Sequence, residues 1–276
     1  MTVHAALLDD RGVLTVTGPE ARPFLQGLLT LDMEKVAPGQ AQAGALLSPQ
    51  GKILFDLIVF EHDNRFRIET TASRRDELAK RLQFYKLRAK VEIEALDAWG
   101  VAALWPYESS DIGYVDPRLP MLGRRAFVEK SKYESLLREA HAEPSTPEAY
   151  HAHRIALAVP EAEKDYPLED TFPHDANFDL LHGIDFEKGC YVGQEVVSRM
   201  QHRGHIRKRI VSFRFDGEAP ASGTTIMAGE KELGRFGSSA GGRALGLVRI
   251  DRLEEAMQAA LPVMAGAARL ERPKGP

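Results

Sequence analysis

The stretch KGCYVGQEVVSR, residues 188–199, contains the only cysteine in a chain of 276 residues. A neighbouring cation lowers the pKa of a thiol and favours the reactive thiolate, and Lys188 stands two residues before Cys190. Gly189 and Gly193 permit tight backbone geometry and the close approach of a ligand. A nucleophilic cysteine also needs a base, but no spacing singles out one histidine. Two interpretations stay open here: a reactive thiol, or a small half-buried cysteine at a turn.

The composition limits the class of protein. The chain is 43% hydrophobic and 28% charged, so it can bury a large core, and its length predicts two domains or three small ones. One cysteine excludes an internal disulfide and a four-thiolate metal site built by this chain alone. It also predicts a reducing compartment, for which we take the cytoplasm. The sequence lacks an apolar run of about 20 residues and a secretory signal. The net charge of −4 argues against a broad nucleic-acid-binding surface.

Periodicity predicts an α+β unit followed, after a long connection, by a small β-barrel or sandwich. Residues 17–96 follow the order helix, three strands, helix, strand, with turn residues between the strands. After residue 203, short strands alternate with glycine-rich turns. Between these regions, residues 160–174 are rich in proline and acidic residues and have little periodicity. A loop of this length in a compact domain is usually functional.

A second stretch of chemical interest is SPQGKILFDLIVF, residues 48–60. Alternation places Asp56 on the same strand face as Leu54 and Ile58, which predicts a carboxylate that is half-buried and needs a partner. Such a group can accept hydrogen bonds from the ring N–H groups of a ligand or act as a general base. An outward-facing strand aspartate is the alternative.

Two more stretches have polar side chains suited to binding. Asp175 and Asn177 lie in the irregular segment TFPHDANFD, residues 171–179, where they could bind a heterocycle or simply close a turn. The segment SRMQHRGHIRKR, residues 198–209, has several arginines and two histidines. This pattern suits an anion site, a local RNA contact or a solvated linker.

The segment KGCYVGQE resembles the signature of the YgfZ-type folate-binding proteins. These are iron–sulfur cluster assembly and repair factors related to the aminomethyltransferase T-protein of the glycine cleavage system. The similarity runs through GIDFEKGCYVGQEVVSRMQHRG and includes LLSPQGKILFDLIVF, LQFYKLRAKVEIE and ALGLVRID, so it covers essentially the whole chain. It implies an α+β fold in which two interleaved ferredoxin-like domains and a C-terminal β-barrel form a ring around a folate cavity.

The resemblance also implies domain boundaries. The first α+β domain is expected to be discontinuous and to comprise residues 1–16 and 97–203. The second α+β domain is expected at residues 17–96. The C-terminal barrel is expected at residues 204–276.

The resemblance further implies which residues act. Asp56 falls at the position of the folate-contacting, catalytic aspartate of the T-protein, and Cys190 is the second catalytic candidate. Asp175 falls where the T-protein often has a glutamate that binds the pterin. Charge suggests that Arg199 meets the anionic tail of tetrahydrofolate. The remaining expected cofactor contacts are Asn177, Lys188, Gly189, Tyr191, Gln194 and Glu195, and we expect no resident metal.

Three functions remain open at this stage. The first is a tetrahydrofolate-dependent accessory factor that matures [4Fe–4S] proteins, including radical enzymes that modify tRNA, with iron–sulfur client or assembly proteins as partners. The second is an aminomethyltransferase of the glycine cleavage type, which the retained Asp56 favours. The short chain and KGCYVGQE, where T-proteins have a cysteine-free segment, favour the first. A module that binds RNA through residues 198–209 is disfavoured by the acidic net charge. We expect a monomer that binds no membrane.

Overall fold

A computed structural model describes residues 2–63, 65–106, 110–204 and 206–273. Its strands are β1 (Val3–Leu8), β2 (Arg11–Thr17), β3 (Ala41–Leu47), β4 (Ile53–His62), β5 (Arg65–Thr71), β6 (Glu92–Ala95), β7 (Trp99–Trp105), β8 (Tyr114–Val115), β9 (Arg124–Glu129), β10 (Ala142–Pro144), β11 (Lys208–Arg214), β12 (Thr225–Ala228), β13 (Lys231–Ala240), β14 (Arg243–Arg249), β15 (Val263–Ala265) and β16 (Ala268–Leu270). Its α-helices are α1 (Ala21–Gln26), α2 (Arg75–Lys86), α3 (Tyr133–Glu139), α4 (Pro147–Ala156), α5 (Gln194–Arg203) and α6 (Ile250–Gln258). Within these described ranges, every helix is too short or too polar to cross a membrane.

Two five-stranded sheets make up the N-terminal part of the molecule. The first sheet has the strand order β10-β1-β7-β9-β8, and the second has the order β3-β4-β5-β2-β6. Strands β1 and β2 follow each other along the chain but belong to different sheets, because β2 pairs with β5 and β6. The predicted boundary at residue 17 assigns β2 to the first domain, whereas its pairing partners lie in the second sheet. We therefore propose a boundary in the turn between β1 and β2.

The two sheets face each other. Strand β4 is almost continuously apolar because both of its faces are covered. Phe55 and Leu57 pack with the core that contains α1 and α2. On the opposite face, Asp56 and Phe60 point toward the first sheet, where the Phe60 ring lies 4.7 Å from the ring of Phe127. Both faces of β4 are therefore buried. The strand lies between the helices α1 and α2 on one side and the first sheet on the other.

The C-terminal unit is a six-stranded antiparallel sheet with the strand order β11-β14-β13-β12-β15-β16. Arg214 and Glu271 exchange two backbone hydrogen bonds of 2.8 Å, which connect the first strand with the end of the last and close the barrel. Phe213, Phe236 and Leu253 are among the side chains of its apolar core. The predicted combination of α+β units with a C-terminal β-barrel is confirmed.

Candidate functional site

A small cavity of about 30 Å³ lies between the inner face of the second sheet and the connection that leads toward the barrel. Asp56 and Ile58 of β4 form one wall, and Tyr166 and Phe178 of the connection form another. This volume holds about two water molecules. Aromatic walls with one carboxylate suit a flat, partly polar ligand. The connection 160–174, whose length predicts a function, thus lines the cavity with Pro160 and Tyr166.

Asp56 is buried, and two side chains hold its carboxylate. Its Oδ2 accepts a hydrogen bond from Arg11 Nη1 at 3.0 Å, and its Oδ1 accepts one from Thr71 Oγ1 at 3.1 Å. An ionised carboxylate has about four acceptor positions, so two remain for a ligand. The sequence predicted that Asp56 needs a partner, but it did not identify Arg11. The available signal was a charged residue at an inward-facing position of β2.

Asp56 belongs to a buried ionic network between the two sheets, which we call the central charge network. Arg11 Nε lies 2.7 Å from Glu69 Oε1, and Arg125 Nε lies 2.8 Å from Asp116 Oδ2. The seven members are Arg11, Asp56, Glu69, Asp116, Arg118, Arg125 and Glu161. Four carboxylates thus meet three guanidinium groups, and the network is formally negative.

Two carboxyl groups of this network, those of Asp116 and Glu161, stay ionised at neutral pH. Burial alone would raise the pKa of Asp116, but Arg118 and Arg125 lower it to about 2. Burial likewise opposes ionisation of Glu161, whose pKa Arg11 and the neighbouring arginines hold well below its usual value. Arg118, which lines the cavity, is therefore paired with two ionised carboxylates.

A second buried ion pair fastens the connection to the barrel. Arg154 Nη1 lies 2.7 Å from Asp165 Oδ2, and Arg154 Nη2 donates to Ser238 Oγ at 3.1 Å. The backbone N–H of Ser238 donates to Asp165 Oδ1 at 2.8 Å. A Cβ on Gly237 would lie 2.7 Å from the same oxygen, so only glycine allows this approach. The barrel is thereby fixed against the wall of the cavity.

Cys190 is exposed in the loop 188–193 that precedes α5, which we call the Cys190 loop. Lys188 attaches this loop to the end of α1, because its Nζ donates to the backbone oxygens of Gln26, Leu29 and Leu31 at 2.8, 2.6 and 2.6 Å. Burial lowers the pKa of Lys188 to about 8, and the negative charges of Asp32 and Asp185 oppose that shift. All three N–H groups of the ammonium are committed, so none remains for a ligand.

The Cys190 loop also touches the turn that precedes β4. Gly193 has a φ of +83°, and a Cβ there would lie 2.6 Å from the carbonyl oxygen of Ser48. Gly51 has a φ of +78°, and a Cβ there would lie 2.9 Å from Cβ of Val196. A Cβ on Gly189, in contrast, would meet nothing within 4 Å. The two sequence motifs therefore meet in space, and the backbone requires glycine at Gly193 but not at Gly189.

The other predicted cofactor contacts lie elsewhere. Asn177 donates from Nδ2 to the backbone oxygen of Ile210 at 2.9 Å, and the backbone oxygen of Asp175 accepts from the N–H of Ile210 at 3.1 Å. These bonds attach the turn to the barrel, and burial raises the pKa of Asp175. Tyr191 is buried in the core, and Gln194 begins α5.

Glu195 and Arg199 form an exposed ion pair of 2.6 Å one turn apart on α5. In the described part of the chain, the cavity lining contains Asp56 but none of the other predicted folate contacts. The structure thus places Asp56 in the cavity wall and Cys190 in an exposed loop that does not line the cavity. The residues that the sequence missed, Tyr166, Phe178 and Arg118, follow no local pattern that could have indicated them.

Two family models match the chain. One is the GCVT N-terminal domain, over residues 5–112, and the other is the CAF17 C-terminal beta-barrel domain, over residues 207–274. A solved structure, the glycine cleavage system aminomethyltransferase T from Bartonella henselae, covers 98% of this chain and 84% of its own with a TM-score of 0.73 at 18% identity. This likeness shows the T-protein type of fold.

Curated relatives are more similar in sequence. The iron–sulfur cluster assembly factor IBA57, mitochondrial, of Homo sapiens is 31% identical over 288 residues, which cover 90% of this chain and 78% of the relative. The Mus musculus protein of the same name is 31% identical with the same coverage. The homolog in Neurospora crassa is 31% identical over 77% of this chain, which spans 54% of that relative.

These relatives overturn the predicted location. All three are named as mitochondrial, so the prediction of the cytoplasm is wrong. The inference rested on a single cysteine, which reports on redox conditions and does not distinguish one reducing compartment from another. The relatives, the two family models and the fold agree with each other, and the chain belongs to the IBA57 family of iron–sulfur cluster assembly factors.

Proposed function

We propose that the chain is a tetrahydrofolate-binding accessory factor for the assembly or repair of iron–sulfur clusters, of the YgfZ type. The observation that carries the proposal is the cavity between the sheets, with the buried Asp56 in its wall. The names of the relatives support the iron–sulfur part of the proposal. Clients would include [4Fe–4S] enzymes, among them radical enzymes that modify tRNA.

The chemistry of the lining residues suits a reduced pterin, and the cavity would have to widen to admit the ring. The pterin ring is flat and rich in N–H donors, and Asp56 has two free acceptor positions beside the apolar rings of Tyr166 and Phe178. Arg11 and Thr71 fix the orientation of the carboxylate, so it need not reorganise when a ligand arrives. Bound tetrahydrofolate would supply its N5 and N10 nitrogens as carriers of a one-carbon unit.

Cys190 would act outside the cavity. One thiol cannot hold a cluster alone, but an exposed thiol can contribute one ligand to a cluster shared with a client or assembly protein. Lys188 and Gly193 hold the loop by backbone contacts, so the thiol has a defined position on the surface. The two halves of the proposal, folate binding and thiol action, therefore require separate tests.

Isothermal titration with tetrahydrofolate tests the cavity. Wild type should bind, and Asp56→Asn should weaken binding about tenfold or more, because hydrogen bonds to a charged group contribute about 1.5–3 kcal/mol. The exposed Asp251→Asn is the matched control and should bind like wild type. Circular dichroism checks that each variant is folded. Failure of wild type to bind, or equal binding by Asp56→Asn, contradicts the proposal.

Complementation tests the thiol. In a strain that lacks the protein, Cys190→Ser should restore less aconitase and tRNA methylthiolation activity than wild type. Ser198→Ala, a small change on the neighbouring helix α5, is the control and should restore both activities. Full restoration by Cys190→Ser removes the thiol from the mechanism.

An aminomethyltransferase of the glycine cleavage type is the second candidate, and the T-protein fold together with Asp56 in the cavity favours it. Incubation with lipoylated H-protein and tetrahydrofolate discriminates the two functions. Ammonia release that depends on Asp56 would establish the transferase. Folate binding without ammonia release would leave the accessory factor.

A further inference from the structure

The C-terminal end of α2 exposes two large apolar side chains. Phe84 is 73% exposed and Leu87 is 88% exposed, the two highest values among the large hydrophobic residues of the described chain. The core-facing stripe of α2 consists of other residues, Leu78 and Leu82, which are fully buried. Packing of the helix on its own sheet therefore does not explain Phe84 and Leu87.

Leu87 also has an unusual backbone. It ends α2 with a φ of 46° and a ψ of −104°, a conformation that glycine adopts easily and that is strained for leucine. Strained positions of this kind persist mainly at sites of function. Here a strained residue holds an apolar side chain in water, so folding alone gives no reason for a leucine at this position.

Five basic residues share the segment 80–90 with the two apolar side chains. These residues are Lys80, Arg81, Lys86, Arg88 and Lys90. Among the described residues, no carboxylate lies within 4.0 Å of any of their charged groups. Glu92 and Glu94 of the adjacent strand β6 line a different depression, together with Arg65. This end of α2 is thus locally basic on a chain whose net charge is −4.

We propose that the α2 end, defined as residues 80–90, is a docking site for an acidic segment of a partner protein. Phe84 and Leu87 would be the apolar anchors, and the cations would form the charged rim, the usual anatomy of a protein interface. The unpaired positive charge requires an acidic partner for complementarity. The inference depends neither on folate binding nor on Cys190.

The observations favour a protein over a larger polyanion. A helix that lies on a membrane needs a long exposed apolar face, whereas the apolar stripe of α2 is buried in the core. A nucleic acid would extend beyond one helix end and meet the acidic remainder of the chain. A short acidic segment with apolar residues matches both the size and the charge of the α2 end.

Fluorescence anisotropy with a labelled peptide tests the proposal. The probe carries leucine and phenylalanine among glutamates, and the control peptide has lysine in place of each glutamate. The acidic peptide should bind more weakly as salt increases, and the double variant Lys80→Glu, Arg88→Glu should weaken binding about tenfold or more. Lys231→Glu, an exposed lysine on the barrel, is the matched control and should bind like wild type.

Leu87→Gly separates docking from a structural role. Glycine relieves the strained backbone, so the melting temperature should stay the same or rise while peptide binding falls about tenfold. Cys190→Ala should leave peptide binding unchanged. The proposal is overturned if the acidic peptide does not bind. It is also overturned if the lysine peptide, phosphatidylserine vesicles or a single-stranded RNA bind as well as the acidic peptide or better. A Leu87→Gly variant with a lower melting temperature or with unchanged peptide binding would likewise overturn it.

Discussion

The central charge network and the Cys190 loop are held in place by opposite means. In the network, side chains from both sheets form buried ion pairs, and each charge is stabilised by the opposite charges beside it. In the loop, Lys188 binds backbone oxygens and Gly193 is pressed against Ser48, while the thiol itself is exposed. The network should therefore be sensitive to any loss of charge. The loop should be sensitive to changes in its backbone supports and tolerant at Cys190.

The largest expected effect is the loss of an arginine from the network. Arg125 is 1% exposed and forms ion pairs with Glu69, Asp116 and Glu161, so Arg125→Met leaves three carboxylates without this partner. The free energy of unfolding in urea should fall by about 3–5 kcal/mol, the usual cost of an uncompensated buried charge.

The control for that measurement is Arg249→Met, which breaks an exposed ion pair and should lower the free energy of unfolding far less than Arg125→Met. If Arg125→Met is insoluble, Arg125→Lys, which keeps one charge, should fold with an intermediate loss of stability. Equal stabilities of Arg125→Met and Arg249→Met would show that the network contributes no more than a surface ion pair.

The next effect is the loss of folding stability at low pH. The pKa of Asp116 is about 2 in the folded chain against 3.8 for an ordinary aspartate, so the unfolded chain binds more protons between these values. Stability supplied by Asp116 is present above about pH 4 and is lost as the pH falls toward 2, an amount of about 2 kcal/mol at 1.36 kcal/mol per pKa unit. The free energy of unfolding in urea should therefore change less with pH across this range for Asp116→Asn than for wild type.

Asp251 provides the comparison at the surface. Its pKa is also about 2, through the hydrogen-bonded side chain of Arg249, but the pair is exposed. Added salt should therefore raise the pKa of Asp251 and leave that of Asp116 nearly unchanged, which carbon-13 NMR of the carboxyl groups can measure. Equal sensitivity to salt would indicate that water reaches Asp116.

A smaller effect is expected for the glycine that supports the loop. Gly193→Ala places a Cβ against the oxygen of Ser48 at positive φ and should lower the unfolding free energy by about 1–2 kcal/mol. It should also change the rate at which iodoacetamide alkylates Cys190. Gly189→Ala, in the same loop but with open space around it, should change neither quantity. The assignment of the loop support fails if the two variants behave alike.

The smallest effect is expected at the thiol. Cys190→Ala removes an exposed side chain and should change the unfolding free energy by less than about 0.5 kcal/mol. Calorimetry checks this value, and wild-type Cys190 should be alkylated without prior unfolding. A large loss of stability would mean that Cys190 is structural and would weaken its proposed role toward clusters.

The sequence predicted much of the local structure correctly. Strands β3, β4 and β5 and the first four strands of the barrel followed from alternation and turn residues. Alternation left two positions open for Asp56, and the structure shows the inward-facing one. Strands β15 and β16 of the barrel were not predicted. Strands β1 and β9 were not predicted, although both lie in the first sheet.

The candidate site was predicted only in part. Asp56 lines the cavity, whereas Asp175 and Asn177 bond to β11 and Lys188 binds carbonyl oxygens at the end of α1. Their presence in a recognisable motif indicated importance but not what each side chain contacts. A motif specifies residues along the chain, and their contacts depend on which layers the fold brings against them.

The sequence by itself determined the alternation of buried faces, the glycines at tight turns and the family, because these depend on neighbouring residues and on a contiguous motif. Only the tertiary structure decided that Arg11 pairs with Asp56, that Lys188 reaches Leu29 from 159 residues away, and that Tyr166 and Phe178 complete the cavity. The physical reason is that a buried charge is stable only beside its partner. Which partner lies there depends on how the two sheets and the barrel pack, and local patterns in the sequence do not indicate this packing.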